Sequence, residues 1–160
     1  GRLSPKADTV TERFKVLNQL RGNNIKFVIC SIRALMQPII ANPLEDSQVR
    51  IKVGNHFLMN DLIQKLITFG FTRSDLVERR GDLAVRGGIL DLFLADKEHP
   101  IRIDFFGDEI EDISYFAIAD QRSLDKVTEE ITVYPCRELL IDDQLKKKAL
   151  KLGKDFPQIN

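Results

Sequence analysis

Cysteine and histidine are scarce in this 160-residue chain, which holds only Cys30, Cys136, His56 and His99. Neither cysteine lies in a CxxC motif or beside a histidine pair, so neither a zinc site nor a dithiol redox centre is expected. Cys30 closes an apolar run and reads as a buried thiol. The two histidines are far apart and read as solvated loop residues. Charge of one sign is not in excess either: Lys+Arg and Asp+Glu both number 24. That balance argues against a domain built mainly to grip phosphate backbones, although a local basic patch is compatible with it. The chain has no GxxxxGK[ST] segment and no GxGxxG, so the backbone cradle for a nucleotide is missing. No serine or cysteine stands in a nucleophile context. The apolar runs are far too short for a membrane span, and no secretion signal is present. Together these absences point to a non-enzymatic, cofactor-free, cytoplasmic protein without a metal site.

What is present is a mixed α/β pattern. Thr9-x-x-Glu12 reads as a capping box, followed by Val10, Phe14, Leu17 and Leu20 at helical spacing. The run IKFVIC, Ile25 to Cys30, suits a strand covered on both faces. Ser31 then suits the N-cap of a short helix to Gln37, ended by Pro38. VRIKV, Val49 to Val53, alternates as a half-exposed strand does. Asn60 or Asp61 can cap a helix through Phe69, with Leu62, Ile63, Leu66 and Ile67 buried and Gly70 as its left-handed stop. Four strands follow: Leu83–Arg86, Ile89–Leu94, Ile101–Phe106 and Ile110–Phe116. Their links are short and two carry glycine, which favours antiparallel hairpins. After a polar bridge, Ile131 to Cys136 reads as another strand. Ile141 to Leu152 reads as an amphipathic helix with Lys146, Lys147 and Lys148 on its wet face.

Alternation along Ile101–Phe106 puts Arg102, Asp104 and Phe106 on one face and Ile101, Ile103 and Phe105 on the other. Arg102 and Asp104 are then same-face neighbours, roughly 7 Å apart by strand rise. They form either an ordinary surface pair or a recognition face of guanidinium, carboxylate and aromatic ring, residue types that anchor protein interfaces. Arg73, Arg79, Arg80, Arg86 and Arg102 make a loose arginine set. Aromatic stacking residues are not interleaved with it, which weakens a nucleic-acid reading. The acids of GDEIED, Gly107 to Asp112, read as a solvated turn.

RGDLAVRGGILDLF, then IRIDFFGDEIEDI, then the QRSL after Asp120 resemble the N-terminal region of the bacterial transcription-repair coupling factor family (Mfd). That region is itself similar to the damage-recognition protein UvrB. The resemblance extends back through LSPKADTVTERFKVLNQL and SIRALMQP and on through ITVYPC. The RGG and QRSL stretches are closer to the coupling factors than to UvrB. The resemblance implies three parts. Residues 1–43 and 118–160 would be pieces of a degenerate RecA-like α/β domain. Residues 44–117 would be an inserted α+β unit, one helix on an antiparallel sheet, through which the family binds UvrA. Carried over by position, the UvrA-binding residues are Arg73, Arg86, Arg102, Asp104 and Phe105. Ala84 departs from the pattern, standing where UvrB-like chains have a further arginine. Alternation and the carried-over pattern disagree on the aromatic, leaving Phe105 and Phe106 both open.

The expected function is therefore a non-catalytic module, a piece of a longer protein, that binds UvrA and so recruits nucleotide excision repair to stalled RNA polymerase. RNA polymerase and DNA would be bound through other parts of that protein, and its translocase motor would lie outside this chain. A DNA-binding module, or the equivalent domain of UvrB itself, is the alternative.

Overall fold

The computed structural model describes residues 7–21, 25–36 and 48–137. Helix α1 spans Ala7–Arg21 and helix α2 spans Ile32–Leu35. Strand β1, Val49–Ile51, pairs antiparallel with β8, Ile131–Val133. Between them lie helix α3, Met59–Thr68, and six strands: β2 Thr72–Arg73, β3 Asp82–Arg86, β4 Ile89–Leu92, β5 Ile101–Phe106, β6 Glu109–Phe116 and β7 Ser123–Lys126. These six form one sheet in sequence order, β2 to β7. The sheet is mixed, not antiparallel throughout, because β2 runs parallel to β3 at one edge. A two-residue strand carries no pattern that would announce this.

One face of the sheet makes the main core. Leu83, Leu90, Leu92, Ile101, Ile103, Ile110 and Ile113 meet Leu62, Ile63, Leu66 and Phe69 from α3 and Ile51, Ile131 and Val133 from β1 and β8. Burying each such aliphatic side chain favours folding by about 1.5–3 kcal/mol. Three of the four expected helix residues face inward, and Ile67 lies on the exposed side. Gly70 takes the left-handed conformation, φ +91°, and Phe71 N donates to Leu66 O at 3.1 Å, closing the helix as expected. The helix begins two or three residues ahead of the expected Asn60 or Asp61 cap. Its N-cap is Leu58, without a side-chain cap, and Asp61 instead sits in the first turn, where its charge suits the helix dipole.

The boundary expected after residue 117 falls within a continuous structure. β7 hydrogen-bonds to β6, β8 to β1, and Val127, Ile131, Val133 and Cys136 join the same core as Leu90 and Ile103. Burial pushes the Cys136 thiol up to about 11.

The upstream segments need more correction. α1 already runs through Thr9, so Thr9 is a first-turn residue and not the cap. Val10 and Thr11 are buried, and Thr11 Oγ1 donates to Pro135 O at 3.1 Å. Residues 25–30 are not a strand, and Phe27 and Ile29 are 88% and 99% exposed. Cys30 is exposed as well. A strand needs a neighbour to satisfy its backbone groups, and among the described residues none pairs with this run. Ser31 does cap α2, accepting from Ala34 N at 3.2 Å. The expected helix over 141–152, with Lys146 to Lys148, lies outside the described residues.

Candidate functional site

The face of the sheet opposite the α3 core carries the chemistry. Register places Ala84, Asp91, Arg102 and Ser114 side by side across β3, β4, β5 and β6. The next row out holds Arg86, Ile89, Asp104 and Asp112. Side chains directly opposite in neighbouring strands point to the same face, so these two rows define one surface.

A tight turn sets its edge. Arg86 pairs with Ile89 across Gly87-Gly88. Gly87 has φ +59° and Gly88 is not left-handed, the pattern of a type II′ hairpin. The two glycines serve different ends. A Cβ on Gly87 would meet nothing within 4 Å, whereas a Cβ on Gly88 would lie 2.9 Å from the Phe105 carbonyl oxygen. Gly88 O also accepts from Phe105 N at 2.8 Å, so β5 passes directly against the turn that follows Arg86. Gly88→Ala is expected to force these backbones apart and cost about 2 kcal/mol, within the range for overpacking, measured by urea unfolding. A loss below about 0.5 kcal/mol would show that the contact relaxes freely.

At the centre lies Asp91, 2% exposed. Arg102 grips it side-on, Nε donating to Oδ1 at 2.8 Å and Nη2 to Oδ2 at 2.9 Å. Arg86 Nη2 donates to the same Oδ2 at 2.9 Å. Arg102 is fixed further by Nη1 donating to Gln121 O at 3.2 Å and by lying 4.6 Å over the Phe116 ring. Gln121 adopts φ +60°, which turns the 117–122 segment back onto the arginine. The hydrogen bonds to Asp91 raise the Arg102 pKa further, against the opposing effect of burial. The two arginines differ in access: the Arg102 side chain is 14% exposed and that of Arg86 47%.

Asp104 is half-buried beside them. Burial first, then the negative charge of Asp112, raises its carboxyl above the ordinary carboxylate value, while Arg102 pulls the other way. Ala84, the departure from the arginine pattern, is buried with Val77, Phe93 and Phe116 in a small second apolar cluster. An arginine there would have to break this cluster. It would also face Asp91 directly, the position now served by Arg102 and Arg86.

The aromatic question has a geometric answer. The register slip near Asp104 is a bulge on β6, where Glu111 has no partner; β5 itself alternates to its end. Phe105 therefore points inward and packs half-buried against the main core. Phe106, on the Arg102 side, is 78% exposed. Arg73 is exposed on β2, two strands away from Asp91 and at the sheet edge. The structure thus brings together Arg86, Arg102 and Asp104, sets Phe105 behind them and leaves Arg73 apart. Asp91 was not among the expected site residues. The signal available was an acid interrupting the apolar run ILDLF on the face opposite Leu90 and Leu92.

Comparison with known proteins gives a consistent set of relatives. The family model described as the UvrB interaction domain matches residues 49–139. The Mycobacterium bovis transcription-repair-coupling factor is 36% identical over 98% of this chain, and the Escherichia coli one 33% identical over 93%. UvrABC system protein B of Lactiplantibacillus plantarum is 27% identical over 92%. The chain spans 13% of the length of either coupling factor and 24% of that UvrABC protein. Among the described residues, no helix is long and apolar enough to cross a membrane.

Proposed function

This chain belongs to the UvrB interaction domain family, and from that we propose that its arginine-bearing sheet face binds UvrA. The observation that carries the reading is the convergence of Arg86, Arg102 and Asp104 on one surface of that domain, at the end of a strand closed by Phe105 and the open Phe106 ring. Arg86 offers donors that can meet an acidic group on the partner. Phe105 supports the strand end from inside, and Phe106 is placed to fill an apolar pocket. Arg73 contributes at the rim, where charge steers encounter more than it adds affinity. The module acts by binding and not by catalysis.

In the longer protein, the module would bring nucleotide excision repair to RNA polymerase stalled in the cytoplasm. Polymerase and DNA would be engaged through other regions, which would also hold the ATP-dependent translocase. Residues 1–43 and the end of the chain would belong to the neighbouring degenerate RecA-like domain.

The test is capture of UvrA by the purified chain beside its Arg86→Glu variant. Arg86 is half-exposed and at a strand end, so the variant is expected to keep its circular dichroism spectrum. Its capture of UvrA should fall at least about tenfold, the scale of one interfacial arginine. A folded Arg86→Glu chain that binds UvrA as tightly as the parent would remove the basis of the reading.

A further inference from the structure

We propose that Asp91 is a positioning residue for partner binding: its buried carboxylate, fixed to the sheet by Arg102, accepts directly from Arg86 and holds it in the orientation that meets the partner. The proposal rests on the reading of this face as the UvrA-binding surface and divides the labour within it.

The two arginines look equivalent in the sequence and are not equivalent in space. Arg102 is committed inward on every side. Its Nε–Nη2 edge is taken by both oxygens of Asp91, its Nη1 by the Gln121 carbonyl, and its plane by Phe116. Only 14% of its side chain meets solvent. Arg86 gives one Nη2 hydrogen to Asp91 and keeps its remaining donors, with 47% of its side chain exposed. A planar guanidinium tethered at one corner loses little further freedom when a partner carboxylate takes another edge. Without the tether, Arg86 would be a long side chain at the end of its strand, just before the Gly87-Gly88 turn, and ordering it would oppose binding.

The charges agree with this division. Arg102 neutralises Asp91 in a bidentate pair, the strong geometry for this interaction. The charge of Arg86 is thereby left over, at the surface. Asp91 can hold this role because it is inaccessible: at 2% exposure it cannot itself reach a partner. Its effect on binding must pass through Arg86, the half-exposed arginine it holds.

The test is a double-mutant cycle read by UvrA affinity, using Asp91→Asn in the parent and in an Arg86→Ala background. Asparagine is nearly isosteric but uncharged, and its amide hydrogens cannot accept from a guanidinium. In the parent background, Asp91→Asn should weaken UvrA binding about fivefold or more. In the Arg86→Ala background it should change affinity less than about twofold, because the side chain it positions is gone. A purely structural defect would weaken both backgrounds alike, and that outcome overturns the proposal, as does unchanged binding in the parent background. If the unsubstituted chain does not bind UvrA at all, the functional reading falls first and the proposal with it. If the parent binds and only the cycle fails, the reading stands and this proposal alone is lost.

A measurement on the parent chain keeps the proposal testable should Asp91→Asn fail to fold. Nitrogen-15 relaxation of the arginine side chains should show Arg86 restricted, closer to Arg102 than to the exposed Arg79. An Arg86 guanidinium as mobile as that of Arg79 in the free chain would overturn it.

Discussion

Replacing Arg102 with methionine is expected to destabilise the fold by about 3 kcal/mol, because it leaves a buried carboxylate with most of its partners gone. Asp91 would lose two of its three guanidinium bonds. The methionine would also forfeit the bond to Gln121 O and the stacking on Phe116. Arg86→Met removes one bond from a half-exposed side chain and should cost under about 1 kcal/mol, the range of exposed ion pairs. Urea unfolding of the two variants measures this contrast. Equal losses would show that burial does not separate the two arginines. The double variant Arg102→Met/Asp91→Leu extends the test. With no charge left unpaired in the interior, it should recover at least half of the Arg102→Met deficit, since buried pairs replaced by apolar side chains are often neutral in stability. A double variant as unstable as the sum of its parts would mean that the lost energy was packing and not an orphaned charge.

Much of this face was legible in the sequence. Strict alternation in IRIDFF placed Arg102, Asp104 and Phe106 together, and the structure keeps that alternation to Phe106. Glycine-bearing links correctly marked the β3–β4 and β5–β6 hairpins. Asp91 was hidden for a physical reason. An acid in the middle of ILDLF is costly to bury alone, and its two counter-charges lie 5 and 11 residues away in sequence. Only the strand register reveals that they converge. The resemblance to a family pointed to Phe105, while backbone geometry turns that ring inward and exposes its neighbour.

The misreadings share a cause as well. IKFVIC has the composition of a buried strand, yet composition cannot supply the neighbouring strand that would complete its hydrogen bonds. β7, Ser123–Lys126, shows the converse. All four residues are exposed, so no apolar pattern marks them; the strand exists because β6 offers an edge. The β1–β8 pair joins residues separated by most of the domain, a contact that local pattern does not encode. Propensity and periodicity report which face a segment buries. They do not report what it is buried against.

Ile103→Ala is expected to cost about 3–4 kcal/mol, within the range for removing a buried isoleucine side chain to alanine. Ile103 is fully buried at the centre of the sheet, opposite Leu90 on β4 and Ile113 on β6. Those neighbours are held by backbone pairing on both sides, so the site cannot collapse to fill the space. Ile103→Val removes one methylene and should cost about 1 kcal/mol. Both losses should appear as a lower urea midpoint at an unchanged slope, because the surface exposed on unfolding is nearly the same. The same strand carries Arg102 and Asp104 on its other face, and this makes the variant informative about function. A domain of ordinary stability, about 5–15 kcal/mol, stays folded after such a loss at the upper part of that range. The backbone of β5 remains paired to β4 and β6, so the Arg102–Asp91 bracket should survive and UvrA affinity should change less than about threefold, under 1 kcal/mol. A large loss of affinity in a variant that is still folded would mean that the inner face tunes the outer one through the strand, and that the bracket alone does not define the binding surface.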